Sequence, residues 1–185
     1  MERLCLDIIN SNHIGAYRAK LSADMLDNEE WLHTLINKWN LDAETPVKPH
    51  DLKALRELRS SMQEVVGQLN LDAELCNKGL NKINSFLEKT PCQIKLVSSG
   101  DDYSISKTPL CDDWSHVIWN VAYSFVELIS EYDRSRLRIC ENEDCGWIFY
   151  DESKSKTRRW CDHKLCGNMM KLRRYRERQK KMKQL

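Results

Sequence analysis

Apolar positions recur at helical spacing through most of the first 135 residues. In DNEEWLHTLINKW, Trp31, Leu32, Leu35, Ile36 and Trp39 share one face, with Asp27 and Glu30 placed as a capping-box-like start. After Pro49, the residues Leu52, Leu55, Leu58, Met62, Val65, Val66 and Leu69 form one continuous stripe and predict a long helix. Leu75, Leu80, Ile83 and Leu87 predict another over about residues 72–88. A broad face from Trp114 through Val117, Ile118, Val121, Phe125, Leu128 and Ile129 to Tyr132 predicts a further one. A short segment near residues 3–12 completes five. Between them the period drops to two: CQIKLVSSGDDYSISK alternates through Cys92, Ile94 and Leu96, turns, and resumes at Tyr103 and Ile105, as a β-hairpin does. The expected fold is mainly α with a small β-hairpin, an independent α-rich domain over residues 1–135 and a second module over 136–185.

That second module opens on CENEDCGWIFYDESKSKTRRWCDHKLCGN, where four of the eight cysteines stand as C-x4-C-x15-C-x4-C. Two short loops, each offering a pair of thiolates, suit a tetrahedral zinc site, for which in-pair spacings of two to four are typical. Gly146 and Gly167 follow the second cysteine of each pair, where a tight turn through positive φ would aim amides at the sulfurs. Redox pairs favour C-x-x-C beside a βαβ unit, and iron–sulfur ligation uses other spacings. Cys140, Cys145, Cys161 and Cys166 are therefore the candidate ligands of one structural zinc, with His163 an exposed loop residue between two better-placed cysteines. Trp147, Phe149 and Trp160 are expected as a miniature core over the site. A short hairpin of WIFY with RRW, then a basic helix, gives a treble-clef-like finger. Such a short module needs the metal to fold.

Cys5, Cys76, Cys92 and Cys111 are scattered and read as small hydrophobes. No apolar run approaches the roughly 20 residues of a membrane span. Asp7 breaks the short apolar start, so no secretory leader is expected and the cysteines point to a reducing cytoplasm. Asp7 and Asn10 interrupt that apolar segment with His13 and Arg18 nearby. Polar groups so placed either line a small-molecule pocket, for which Asp7, Asn10 and Arg18 are the candidates, or satisfy one another within a core.

The formal net charge of +1 conceals a division. Residues 153–185 carry thirteen Lys or Arg against Asp162 and Glu177, a balance of +11, and residues 1–152 carry sixteen bases against twenty-six acids, a balance of −10. A polyanion is the natural partner of such an end. The candidate contacts are Arg158 and Arg159 beside Trp160, and Lys171, Arg173, Arg174, Arg176 and Arg178 on the final helix, since arginine forks suit phosphates and guanine edges. Five such contacts would weaken binding about 10²–10³-fold between 50 and 200 mM salt. DNA is the first expectation; RNA and an acidic protein, including the chain's own first 152 residues, are the others.

RLRICENEDCGWIFYDESKSKTRRWCDHKLCGN resembles the CGNR zinc-finger proteins in its paired cysteines, Cys145-Gly146-Trp147-Ile148-Phe149, Arg158-Arg159-Trp160-Cys161 and Cys166-Gly167-Asn168. CLDIINS, the Trp39 helix and LKALRELR resemble, more loosely, the ABATE domain usually found with that finger. The resemblance implies a bacterial, stress-responsive transcription regulator with zinc on the four cysteines. Met169 stands where the motif ends in arginine. A DNA-binding regulator is thus the leading expectation, its first domain sensing a small molecule or forming a homodimer. A zinc-dependent protein-interaction module is the alternative. No P-loop, dinucleotide glycine motif, HExxH or GxSxG occurs, so an enzyme is not expected.

Overall fold

The computed structural model describes the chain except residues 13–23, 42, 44–45, 72–76, 101, 112 and 184–185. Five helices build the N-terminal part: α1 (Leu4–Ile9), α2 (Glu29–Lys38), α3 (Pro49–Asn70), α4 (Asn77–Glu88) and α5 (Trp114–Ser130). The apolar stripes decide their packing. Leu55, Leu58, Met62, Val65 and Val66 of α3 meet Ile83 and Phe86 of α4, and Val117, Val121, Phe125 and Leu128 of α5, in one core into which α1 inserts Leu4, Cys5, Ile8 and Ile9. The start of α2 lies one residue later than the sequence suggests. Asn28, not Asp27, is its cap, and its side chain accepts the Trp31 amide at 3.0 Å. Asp24 precedes it and accepts both arms of Arg59 at 2.7 and 2.6 Å. Burial works against Asp24's ionised form, but the Arg59 fork outweighs it and holds the carboxyl below its ordinary value.

β1 (Cys92–Ser99) and β2 (Asp102–Pro109) form the expected antiparallel hairpin, with Leu96 opposite Ile105. Its base is anchored on α5, where Lys107 Nζ donates to the Tyr123 hydroxyl at 2.6 Å. Beyond that anchor Ile94, Leu96, Tyr103 and Ile105 are exposed on one face.

The chain then enters β3 (Leu137–Ile139), passes Cys140 and Cys145, and returns in β4 (Ile148–Tyr150). A single π turn (His163–Gly167) leads into α6 (Asn168–Met182). The hairpin within the finger differs from expectation: β4 pairs with β3, upstream of the first cysteine, and not with Arg158-Arg159-Trp160. The reason is packing. Leu137, Ile148 and Tyr150 are buried in the N-terminal core, so the small sheet extends that core, and residues 157–160 run irregularly beside it. Among the described residues, no helix is long and apolar enough to cross a membrane.

The cysteine cluster and the basic helix

The first cysteine cassette is a tight knuckle closing the β3–β4 hairpin. The Cys140 amide donates to the Trp147 carbonyl at 2.8 Å and the Cys145 amide to Asn142 at 2.8 Å, while Gly146 takes a φ of 63° that an L side chain resists. The second cassette sits on the π turn. Asp162 Oδ1 accepts the amides of Lys164 and Leu165, and the Gly167 amide reaches back to the Asp162 carbonyl at 3.0 Å. Gly167 is not in the positive-φ region proposed for it; its φ is −60°. Its small size matters for a different reason, since a Cβ there would stand 3.4 Å from the Trp160 ring.

These two loops bring the sulfurs of Cys140, Cys145, Cys161 and Cys166 within 4.8 Å of one another. Cys161 lies 3.7 Å from both Cys145 and Cys166, sulfur to sulfur. A zinc ion about 2.3 Å from each corner of a tetrahedron requires edges of about 3.8 Å, so the residues present fit the ion. The electrostatics agree. Hydrogen bonds from Cys145 and then Cys161 lower the Cys140 thiol, whereas the bond with Cys140 raises Cys145, and the same neighbour raises Cys161. Cys140, Cys145 and Cys161 therefore do not all ionise unaided, and a bound cation is what would hold them as thiolates. Around the sulfurs, the Asn142 amide nitrogen lies 3.4 Å from Cys166 and the Cys161 backbone N–H 3.5 Å from Cys140. Trp147, Phe149 and Trp160 pack against the cluster as expected, and exposed His163 stands edge-on to Trp160 outside the ligand set. Cys5, by contrast, is fully buried far from any such group, and burial pushes its thiol up to about 12.

Residues 136–179 match the family of the CGNR zinc finger, and residues 2–132 match ABATE, described as "Putative stress-induced transcription regulator". The chain belongs to the ABATE family. No curated protein matches it. In this ABATE protein the zinc finger is joined to the helical part by more than the chain between them. Asn10, at the end of α1 and 4% exposed, accepts the Ile148 N–H at 2.8 Å and donates to the Ile148 carbonyl at 2.8 Å. Asn70, at the end of α3, does the same on the opposite edge of the small sheet, donating to the Leu137 carbonyl at 3.0 Å and accepting the Ile139 N–H at 3.4 Å.

The polar candidates of the first segment are not gathered into one pocket. Asp7 turns to α2, where its Oδ2 accepts Trp39 Nε1 at 2.7 Å and Lys38 Nζ at 2.9 Å. Asn10 turns to the finger, and Arg18 and His13 lie outside the described residues.

The cations divide in the same way. Arg158 is half-buried and spends its guanidinium on the finger: Nε donates to the Trp160 carbonyl at 2.9 Å, another nitrogen donates to the Cys161 carbonyl, and the group lies 4.8 Å from the Phe149 ring centroid. Arg158→Ala should therefore lower zinc retention and melting temperature while leaving the salt dependence of any polyanion binding unchanged; chelator competition and titrations at two salt concentrations separate the effects. Arg159 is exposed but bound to Glu141, with Nε 2.7 Å from its carboxylate. Arg173 faces Glu143, Asp144 and Glu177. Lys171, Arg174, Arg176 and Arg178 are exposed on α6. Among the described residues, the ion pairs of α6 run only within the finger and never to the N-terminal helices.

Proposed function

We propose that the protein is a cytoplasmic DNA-binding transcription regulator that holds one structural zinc per chain and presents α6 to the duplex. The helix itself carries this reading. It bears seven Lys or Arg against the single acid Glu177, and none of its residues is buried. Like charges at i,i+4, such as Arg174 and Arg178, repel along it. A helix without a packed face, started rigidly at a metal site, has charge presentation as its evident use, and a phosphate backbone removes the repulsion. The zinc takes no part in chemistry here: four thiolates complete its tetrahedron and leave no position for a reacting water, so the protein is read as non-catalytic. The acidic helical domain supplies the regulatory half, by sensing or by dimerisation, with the clamped β3–β4 sheet as its link to the finger.

Fluorescence anisotropy of the zinc-loaded chain on a random duplex tests the proposal. Nanomolar to micromolar binding at 50 mM KCl should weaken about 10²-fold at 200 mM if four phosphates are contacted. Absence of binding at 50 mM, or binding indifferent to salt, would overturn it.

A further inference from the structure

The basic helix has two chemically different sides. The 3.6-residue repeat places Met169, Arg173, Arg176 and Lys180 on the side of the first cysteine knuckle, where they line, with Asn142 and Asp144, a groove of about 460 Å³. Arg173 lies there 3.4 Å from Glu143, 3.8 Å from Asp144 and 3.7 Å from Glu177. A third knuckle acid, Glu141, holds Arg159. On the opposite side the same repeat aligns Lys171, Arg174, Arg178 and Lys181, with Tyr175 among them, and all five are exposed. None of these four cations has an ion-pair partner among the described residues.

We infer that the DNA phosphates lie along the outer stripe Lys171–Arg174–Arg178–Lys181, and that the knuckle acids Glu141, Glu143 and Asp144 act as a built-in competitor that keeps Arg159 and Arg173 off the duplex. This rests on the DNA-binding reading above. An unpaired cation that meets a phosphate releases a condensed counterion and adds about 0.9 to the salt slope. An arginine already neutralised by a carboxylate must first leave it, and the acid it abandons then repels the phosphate, so its net contribution is small. The stripe spans ten helical steps, about 15 Å at 1.5 Å per residue, enough to follow a few successive phosphates. Tyr175 adds a hydroxyl donor on the same side.

Position 169 belongs to the groove side. It is where the resemblance to CGNR proteins places an arginine. An arginine at 169 would enter a groove already lined by Asp144, so it would serve the finger before it served the duplex.

The knuckle acids can be neutralised without harm to the fold, because exposed ion pairs are worth little in stability. Four variants of the full zinc-loaded chain form the test, each first checked for helicity and zinc content: K171Q/R174Q/R178Q, R173Q, E143Q/D144N and M169R. Glutamine keeps helix propensity, and α6 has no buried residue to disturb. Anisotropy on one random duplex over 50–200 mM KCl gives each salt slope. The stripe variant should lose about 2.7 from the slope, three cations at about 0.9 each. Arg173→Gln, which removes a cation already paired with acids, should lose well under about 0.9, Met169→Arg should leave the slope unchanged, and E143Q/D144N should bind more tightly than wild type. A loss from Arg173→Gln as large as the stripe variant's loss per removed cation, or no gain from the acid variant, would overturn the inference while leaving DNA binding intact. A wild-type chain that ignores the duplex but binds polyglutamate would overturn both.

Discussion

Cys161→Ser, or stripping of the metal by a strong chelator, should weaken the whole chain and not only its last fifty residues. Structural zinc in small finger peptides is worth about 10–16 kcal/mol, so loss of a ligand or of the ion should open the finger outright. An isolated finger on a flexible linker would leave the rest of the protein unaffected. Here Leu137, Ile148 and Tyr150 belong to the same core as Phe125 and Met62. Exposing three such side chains forfeits about 1.5–3 kcal/mol each, a sum comparable with the 5–15 kcal/mol that holds a typical domain together. Zinc-loaded protein should therefore melt in one cooperative transition, and the chelated protein should lose the signal of α1–α5 at a clearly lower temperature. Circular dichroism against temperature, with metal content assayed in parallel, gives the answer. A main helical transition at the same temperature in metal-free protein would show that the finger and the helical part are energetically separate.

Helices of the N-terminal part were legible because each carries a long apolar stripe, and the stripe is what packs: Leu55, Leu58, Met62, Val65 and Val66 fall at helical spacing and are all buried in α3. The cysteines were legible because ligand spacing is a local property. What the sequence concealed is non-local. β3 and β4 are three residues each, too short for alternation to announce them, and their partnership is set by a core drawn from helices as distant in the chain as α1. Leu-Arg-Ile before the first cysteine and Ile-Phe-Tyr after the second were the available signal. Charge counting placed Arg158, Arg159 and Arg173 with the unpaired cations, because a count carries no information on partners; only the fold brings Glu141, Glu143 and Asp144 beside two of them and turns the third into the finger. Gly167 follows the same rule: a glycine can serve φ or close approach, and the letter does not say which.

Asn10 follows the same logic and yields the second large effect. Its side chain is a peptide group in miniature, one acceptor and one donor facing the N–H and carbonyl of Ile148, with the second amide hydrogen on the Leu6 carbonyl at 2.9 Å. It completes an edge of the β3–β4 sheet that is buried in protein, where no water can replace it. Asn10→Ala leaves the Ile148 N–H and carbonyl without partners, at about 1–3 kcal/mol for each buried group, so a loss of about 2–6 kcal/mol is expected in urea denaturation. Asn10→Asp should be no milder: the acceptor survives, but a carboxylate replaces the donor and sets a buried negative charge against two carbonyl oxygens. Asn70→Ala should cost less, because Asn70 is exposed and water can take over its two backbone partners. The order Asn10→Asp and Asn10→Ala well below Asn70→Ala, and Asn70→Ala close to wild type, is the signature of a buried clamp on one edge and a wet one on the other. If Asn10→Ala unfolds within about 0.5 kcal/mol of wild type, the Ile148 edge is not closed by this side chain, and the join between the helical part and the finger rests on the burial of Leu137, Ile148 and Tyr150 and on the Asn70 edge.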